Sequence, residues 1–237
     1  GRGISSADFD RDGDLDIYVS NYRLVPNELH VNDGAGNFTD RAADFNATGG
    51  SGHTIGSSWG DLDNDGEIDL FVGNFSHNRH SQPGVKFLKN TGAPGGYGFQ
   101  SMLEWNYASS PNWQESYASP TLGDYDNDGD LDLFFTTVYE VGSYGIPNFP
   151  RLYRNDGNWN FTDVTASEGL SGISPTYQAA FADYDNDGDL DLVSHGRLFE
   201  NQAPGGNHWL KLKMIGDGQT ISRDAVGAQV RIQAGGK

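Results

Sequence analysis

Asp8, Asp10, Asp12, Asp14 and Asp16 alternate with Phe9, Arg11, Gly13 and Leu15 over nine residues, and the pattern recurs three more times. The second copy is Asp61, Asp63, Asp65, Glu67 and Asp69 around Gly66. The third is Asp124, Asp126, Asp128, Asp130 and Asp132 around Gly129, and the fourth is Asp183, Asp185, Asp187, Asp189 and Asp191 around Gly188. Carboxylates at positions one, three, five and nine, with a main-chain carbonyl at seven, aim hard oxygens at one point, the donor set that suits Ca2+. Glycine at position six allows the sharp turn that folds these ligands inward. Position seven is expected to coordinate through its carbonyl and to point its side chain outward. Leu15, Ile68, Leu131 and Leu190 at position eight are expected to anchor each loop in the core of its own unit. A single Asp-rich stretch is often only a solvated turn, but four in register are expected to hold about one Ca2+ each. Without a cation the crowded carboxylates would repel one another and hold raised pKa values, so the ion should contribute folding energy. The helix-loop-helix calcium hand is excluded because it needs a bidentate Glu at position twelve, where this chain has Val19, Val72, Phe135 and Ser194.

The elements that position these loops follow from what flanks them. A second landmark trails each copy: His30-Val31-Asn32-Asp33-Gly34, Leu88-Lys89-Asn90-Thr91-Gly92, Tyr153-Arg154-Asn155-Asp156-Gly157 and Phe199-Glu200-Asn201-Gln202. Asn and Gly tolerate positive φ, so this reads as a tight hairpin turn. Asn37 to Asp40 and Asn160 to Asp163 read as the returning strand, with Phe99 in the matching slot of the second copy. Strand one runs into the acidic loop (Gly56 to Gly60, Ala179 to Ala182) and strand two leaves it (Asp69 to Gly73, Asp132 to Thr136). β-Branched and aromatic residues dominate, with little helical periodicity. The fold class is therefore all-β, a β-propeller of four-stranded antiparallel blades. Blades are expected over 1–49, 50–109 and 110–171, with a partial blade over 172–205. A propeller closes with roughly four to eight blades, so the chain is expected to be a piece of a larger one.

Composition narrows the function. The 237 residues carry 33 Asp and Glu against 15 Lys and Arg, a formal charge of −18. That argues against nucleic acid or anionic membranes as partners. Five acids in each of four loops account for most of the excess, so the acidity is chiefly ligand chemistry. There is no cysteine, which removes disulfides, thiolate metal sites and cysteine nucleophiles together. No apolar run approaches the roughly 18 residues that cross a bilayer.

At the acidic loops the chain resembles the FG-GAP or VCBS-type repeats, whose blades carry Asp-x-Asp-x-Asp-Gly-x-x-Asp loops in integrin α-subunit heads and in many secreted bacterial proteins. The resemblance spans about residues 1–205. Asn207-His208-Trp209-Leu210, and Arg223 followed by Gly227, Ala228 and Val230, further resemble the start of the ASPIC/UnbV domain that follows such repeats in cartilage acidic protein-like chains, making 206–237 a β segment of that kind. The resemblance implies a propeller of about seven blades, integrin-like structural Ca2+, a secreted, cell-surface or periplasmic location, and adhesion or ligand binding without a reaction.

In an up-and-down blade the acidic loops and the Asn turns share one face. The opposite loops vary in length, and variable loops on a rigid frame tend to carry function. They hold Tyr22, Arg23, His77, Arg79, His80, Trp105, Tyr107, Trp113, Tyr139, Tyr144, Phe149 and Tyr177, rings and cations able to stack on a glycan or grip a protein. A glycan-active enzyme such as a polysaccharide lyase, drawing on Arg23, His77, Arg79, His80 and Tyr144, and a scaffold subunit of a surface assembly are the alternative readings. Gly56-Ser57-Ser58-Trp59-Gly60 matches the G-x-S-x-G string, but that motif needs a strand-to-helix turn. His77 and His80 lack an evident third ligand. Asn37, Asn46, Asn74 and Asn160 begin glycosylation sequons.

Overall fold

The computed structural model describes residues 1–76, 82–93, 96–106, 110, 113–143, 145–202, 209–219, 230 and 232. Its regular structure among these residues is all strand. Sheet one holds β1 (Gly3–Ala7), β2 (Asp16–Ser20), β3 (Glu28–Asn32) and β4 (Phe38–Asp40). Sheet two holds β5 (His53–Gly60), β6 (Asp69–Phe75), β7 (Val85–Asn90) and β8 (Phe99–Trp105). Sheet three holds β9 (Pro120–Gly123), β10 (Asp132–Phe135), β11 (Arg151–Asn155) and β12 (Phe161–Asp163), and sheet four holds β13 (Ala179–Ala182), β14 (Asp191–Ser194) and β15 (Arg197–Phe199). Each sheet is an antiparallel meander in chain order. First strands touch first strands, β1 with β5, β5 with β9 and β9 with β13, the arrangement of propeller blades about an axis.

The hydrophobic cores lie between the blades. Phe9, Tyr18 and Leu29 of sheet one pack with Leu70, Val72, Leu88 and Phe99 of sheet two. Phe71, Phe87 and Trp105 of sheet two pack with Leu133, Phe135, Tyr153 and Phe161 of sheet three. Phe134, Leu152 and Val164 pack with Leu192 of sheet four and, at its edge, Phe181 and Phe199. This explains the strand composition: β6 and β10 are buried along their whole length, because a blade between two others has no solvated face.

Two expectations change at these interfaces. Trp105 was expected on the variable face, but it is only 4% exposed, with ring centroids 4.9 Å from Phe87 and 4.6 Å from Tyr153. A ring that large at the end of β8 is worth more in the interblade core than in water. Two of the position-eight residues also reach beyond their own units. The methyls of Leu131 and Leu190 press on Gly60 and Gly123, the last residues of strand one in the preceding blade, at 2.7 and 2.9 Å from where a Cβ would stand. Leu15 has no preceding blade beside it and is 48% exposed.

Candidate metal centre

Each acidic loop joins strands one and two, and its shape is set by two residues in the left-handed region. Position four (Arg11, Asn64, Asn127, Asn186) has φ between 56° and 65°, and the glycine at position six between 90° and 98°. Asn is among the few side chains that adopt this conformation readily, which accounts for its recurrence in three of the four copies. The position-one carboxylate then caps the turn: Asp61 accepts the N–H groups of Asp65 (3.2 Å) and Gly66 (2.8 Å), and Asp124 those of Asp128 and Gly129 at 3.0 Å each. Position five accepts the N–H of position seven in every loop, from 3.1 Å at Asp12 to 2.8 Å at Asp65.

The folding brings three carboxylates per loop together: Asp8, Asp10 and Asp12; Asp61, Asp63 and Asp69; Asp124, Asp126 and Asp132; Asp183, Asp185 and Asp191. One oxygen from each lies within 4.8 Å of the others, so four Asp-rich groups are able to hold a metal ion. Position nine joins the group in three loops, whereas in the first loop position five takes its place. Asp16 stands outside the first triad, and Asp65, Asp128 and Asp187 stand outside the others.

Asp69, Asp132 and Asp191 have a second task, which Asp16 shares. Each is buried and accepts the backbone N–H of the turn asparagine, Asn32, Asn90, Asn155 and Asn201, at 2.8 to 2.9 Å. Burial pushes Asp16 and Asp69 up to about 7 and Asp132 to about 8, against the lowering effect of these hydrogen bonds. Burial, with the charge of neighbouring carboxylates, also raises Asp10, Asp61, Asp124 and Asp126. A cation suits this donor set: the buried Oδ1 atoms of Asp8, Asp63 and Asp183 accept no hydrogen bond from any described residue. Burying anionic oxygens without partners is costly. With only oxygen donors converging, the fitting class is a hard divalent ion.

Sequence reasoning missed how the loops join one another. The position-seven side chains do not point outward. Arg11 of loop one pairs with Glu67 of loop two at 3.2 Å. Asn64 donates to Asp130 and to the Gly129 carbonyl, and Asn127 to Asp189 at 2.7 Å and the Gly188 carbonyl at 3.3 Å. Position four of one loop thus holds positions six and seven of the next. The turn asparagines are linkers as well. Asn90 donates to Phe9 O of the preceding loop (2.7 Å) and Ile68 O of its own (3.2 Å), Asn155 to Leu62 O and Leu131 O, and Asn201 to Tyr125 O and Leu190 O. In the first three turns it is the glycines, Gly34, Gly92 and Gly157, that adopt positive φ, not the asparagines. The recurrence of Asn at both places was the available signal.

On the opposite face Tyr22 lies under the Arg2 guanidinium and against His53, with ring centroids 4.5 Å apart. Arg23 is exposed, Trp113 half-buried, and Tyr139, Phe149 and Tyr177 are 44 to 53% exposed. His77, Arg79, His80, Tyr107 and Tyr144 lie outside the described residues. Ser58 sits on β5 and donates to Pro120 O at 3.0 Å, so the G-x-S-x-G string forms no nucleophile elbow. Asn74 is fully buried, bonded to Thr54, Gly49 O and Gly84 O, and offers no glycosylation site.

Blades of antiparallel strands about an axis, each with an acidic loop between strands one and two, define a β-propeller of the acidic-loop class. The family of FG-GAP-like repeats matches residues 3–72 and 124–194, and the chain belongs to it. Cartilage acidic protein 1 of Mus musculus is 26% identical over 220 residues, covering 90% of this chain and 32% of that protein. The Homo sapiens and Xenopus tropicalis proteins of the same name are 26% and 27% identical over 226 residues, with the same coverage. The chain spans about a third of the length of these relatives. A solved Agrocybe aegerita lectin, described as recognising non-reducing terminal N-acetylglucosamine, aligns with a TM-score of 0.47 and 17% identity over 80% of this chain and 46% of that one.

Proposed function

We propose that this chain is a calcium-stabilised β-propeller region of an extracellular protein, binding a glycan or a protein through the face opposite its metal loops, with Ca2+ structural and no catalysis. The observation that carries the reading is the fourfold recurrence of a carboxylate triad with oxygens inside 4.8 Å, several of them buried without a hydrogen-bond partner. The similarity to cartilage acidic protein 1 over 90% of this chain supports a secreted or surface location. Among the described residues no helix is long and apolar enough to cross a membrane. The rigid metal face and the exposed rings of Tyr139, Phe149 and Tyr177 suit a binding module, since displayed aromatics stack on sugars and anchor protein contacts. The test is a glycan array and a pull-down on the intact protein, each with Ca2+ and with EDTA, followed by mass spectrometry of any retained sugar. Calcium-dependent retention of intact ligand is the expected result. Cleaved sugar would overturn the non-catalytic reading, and an unchanged melting temperature in EDTA would overturn the calcium reading.

A further inference from the structure

The four acidic loops are not equivalent, and the difference comes from one position. The residue just before each turn asparagine is Val31, Lys89, Arg154 and Glu200 in turn. Val31 packs beside the first interblade core. Arg154 bonds to Asp156 at 2.7 Å, and its charge still reaches Asp126 of loop three. Glu200 stands beside Tyr184 of loop four, 3.4 Å from its hydroxyl. Lys89 bonds directly to carboxylates of its loop: Nζ donates to Asp63 and, at 2.6 Å, to Asp65 Oδ2. Trp159 of the next blade adds its indole N–H to the same Asp63 Oδ2 at 3.1 Å. Asp63 Oδ1 is left buried and without a partner, beside Asp61 and Asp69 in the triad.

We infer that Lys89 is a tethered counter-cation of loop two, which lowers that loop's affinity for a divalent ion so that it fills last, while holding the loop in shape when calcium is scarce. The inference rests on the calcium reading proposed above. A cation entering the loop meets an ammonium within about one ion-pair distance of its site, and either stays beside that like charge or displaces it. Loop four, with Glu200 as an added neighbouring carboxylate, has the opposite bias.

Trp159 makes the test specific, because an indole beside Asp63 sensitises luminescence from Tb3+ bound in loop two. The titration uses Tb3+ on the intact protein, and the loop-two signal is the part lost in Trp159→Phe. In the wild type this component should rise after the bulk of binding seen by calorimetry. Lys89→Met, which keeps the stem and removes the charge, should move its midpoint to lower Tb3+ by about tenfold or more, and Lys89→Arg should leave it late. If the Trp159-dependent midpoint is the same in Lys89→Met while binding elsewhere is normal, the role of Lys89 is overturned and the calcium reading stands. If no Tb3+ or Ca2+ binds at any loop, both fall together.

Discussion

Replacing Asn155 by Ala tests whether the turn asparagines hold the blades together. Its side chain is fully buried. It donates to Leu62 O at 2.9 Å in loop two and to Leu131 O at 3.2 Å in loop three, and accepts the Gly157 N–H at 3.1 Å. The substitution leaves three backbone groups without that partner, the Leu62 carbonyl in a fully buried bond and the other two in part-buried ones. A buried polar group left unsatisfied costs about 1–3 kcal/mol, so the loss should total ~4 kcal/mol. For a chain of this size each kcal/mol lowers the melting temperature by about 2–4 °C, giving a fall of roughly 8–16 °C. Asn32 occupies the same place in the first turn, but its side-chain bonds to described residues stay within its own blade, to Leu15 O at 3.4 Å and Gly34 N at 3.3 Å. Asn32→Ala should cost about 1 kcal/mol or less. Scanning calorimetry of both variants in saturating Ca2+ is the assay. Equal shifts for the two would refute the reasoning, because the interblade bond is what separates them.

Metal-free protein should lose stability as pH rises. Asp16 and Asp69 at about 7 and Asp132 at about 8 bind their protons more tightly folded than unfolded, where the ordinary value is 3.8. Stability is therefore greatest below about pH 4 as far as these groups are concerned, and falls through the window up to about pH 8. Urea midpoints in EDTA should decline from pH 5 to pH 8, while the gain from added Ca2+ should grow over the same range, since the ion replaces those protons. If each triad takes one ion as proposed, calorimetry should count four, and Asp126→Asn should lower the count by one and leave the other triads intact; an unchanged count would show that the third loop holds no metal.

Much of the fold was legible because the repeat was. A nine-residue motif followed by an Asn turn marks strand ends twice per unit, and β6 and β10 begin at the position-nine aspartates, Asp69 and Asp132, as the pattern requires. The grouping of carboxylates in each loop was legible for the same reason, but which three converge was not: position five stands apart in three loops and position nine in the first. The interfaces were not. Trp105 looked like a displayed ring because its loop is variable, yet its place is decided by Phe87 and Tyr153, residues of other strands. The partners of Asn64, Asn127 and Asn155 lie 61 to 93 residues away, and no local pattern states which blade a side chain will reach. Lys89 carries no mark in sequence beyond being basic near an acidic loop.

The contacts between acidic loops all run in one sense. Each loop reaches forward with its fourth residue and is held from behind at its sixth and seventh, so the row is a head-to-tail array with unlike ends. At one end Asp14 keeps a buried oxygen that no described residue engages. At the other, Asn186 is engaged from outside the row, by Lys211 at 2.5 Å. In the language of symmetry this is a heterologous interface: repeated, it makes a ring where the rotation closes and an open array where it does not, and it never pairs two like ends. A loop joined to the Asp14 end must therefore bring a donor at its fourth position, and one joined to the other end must bring an acceptor at its seventh.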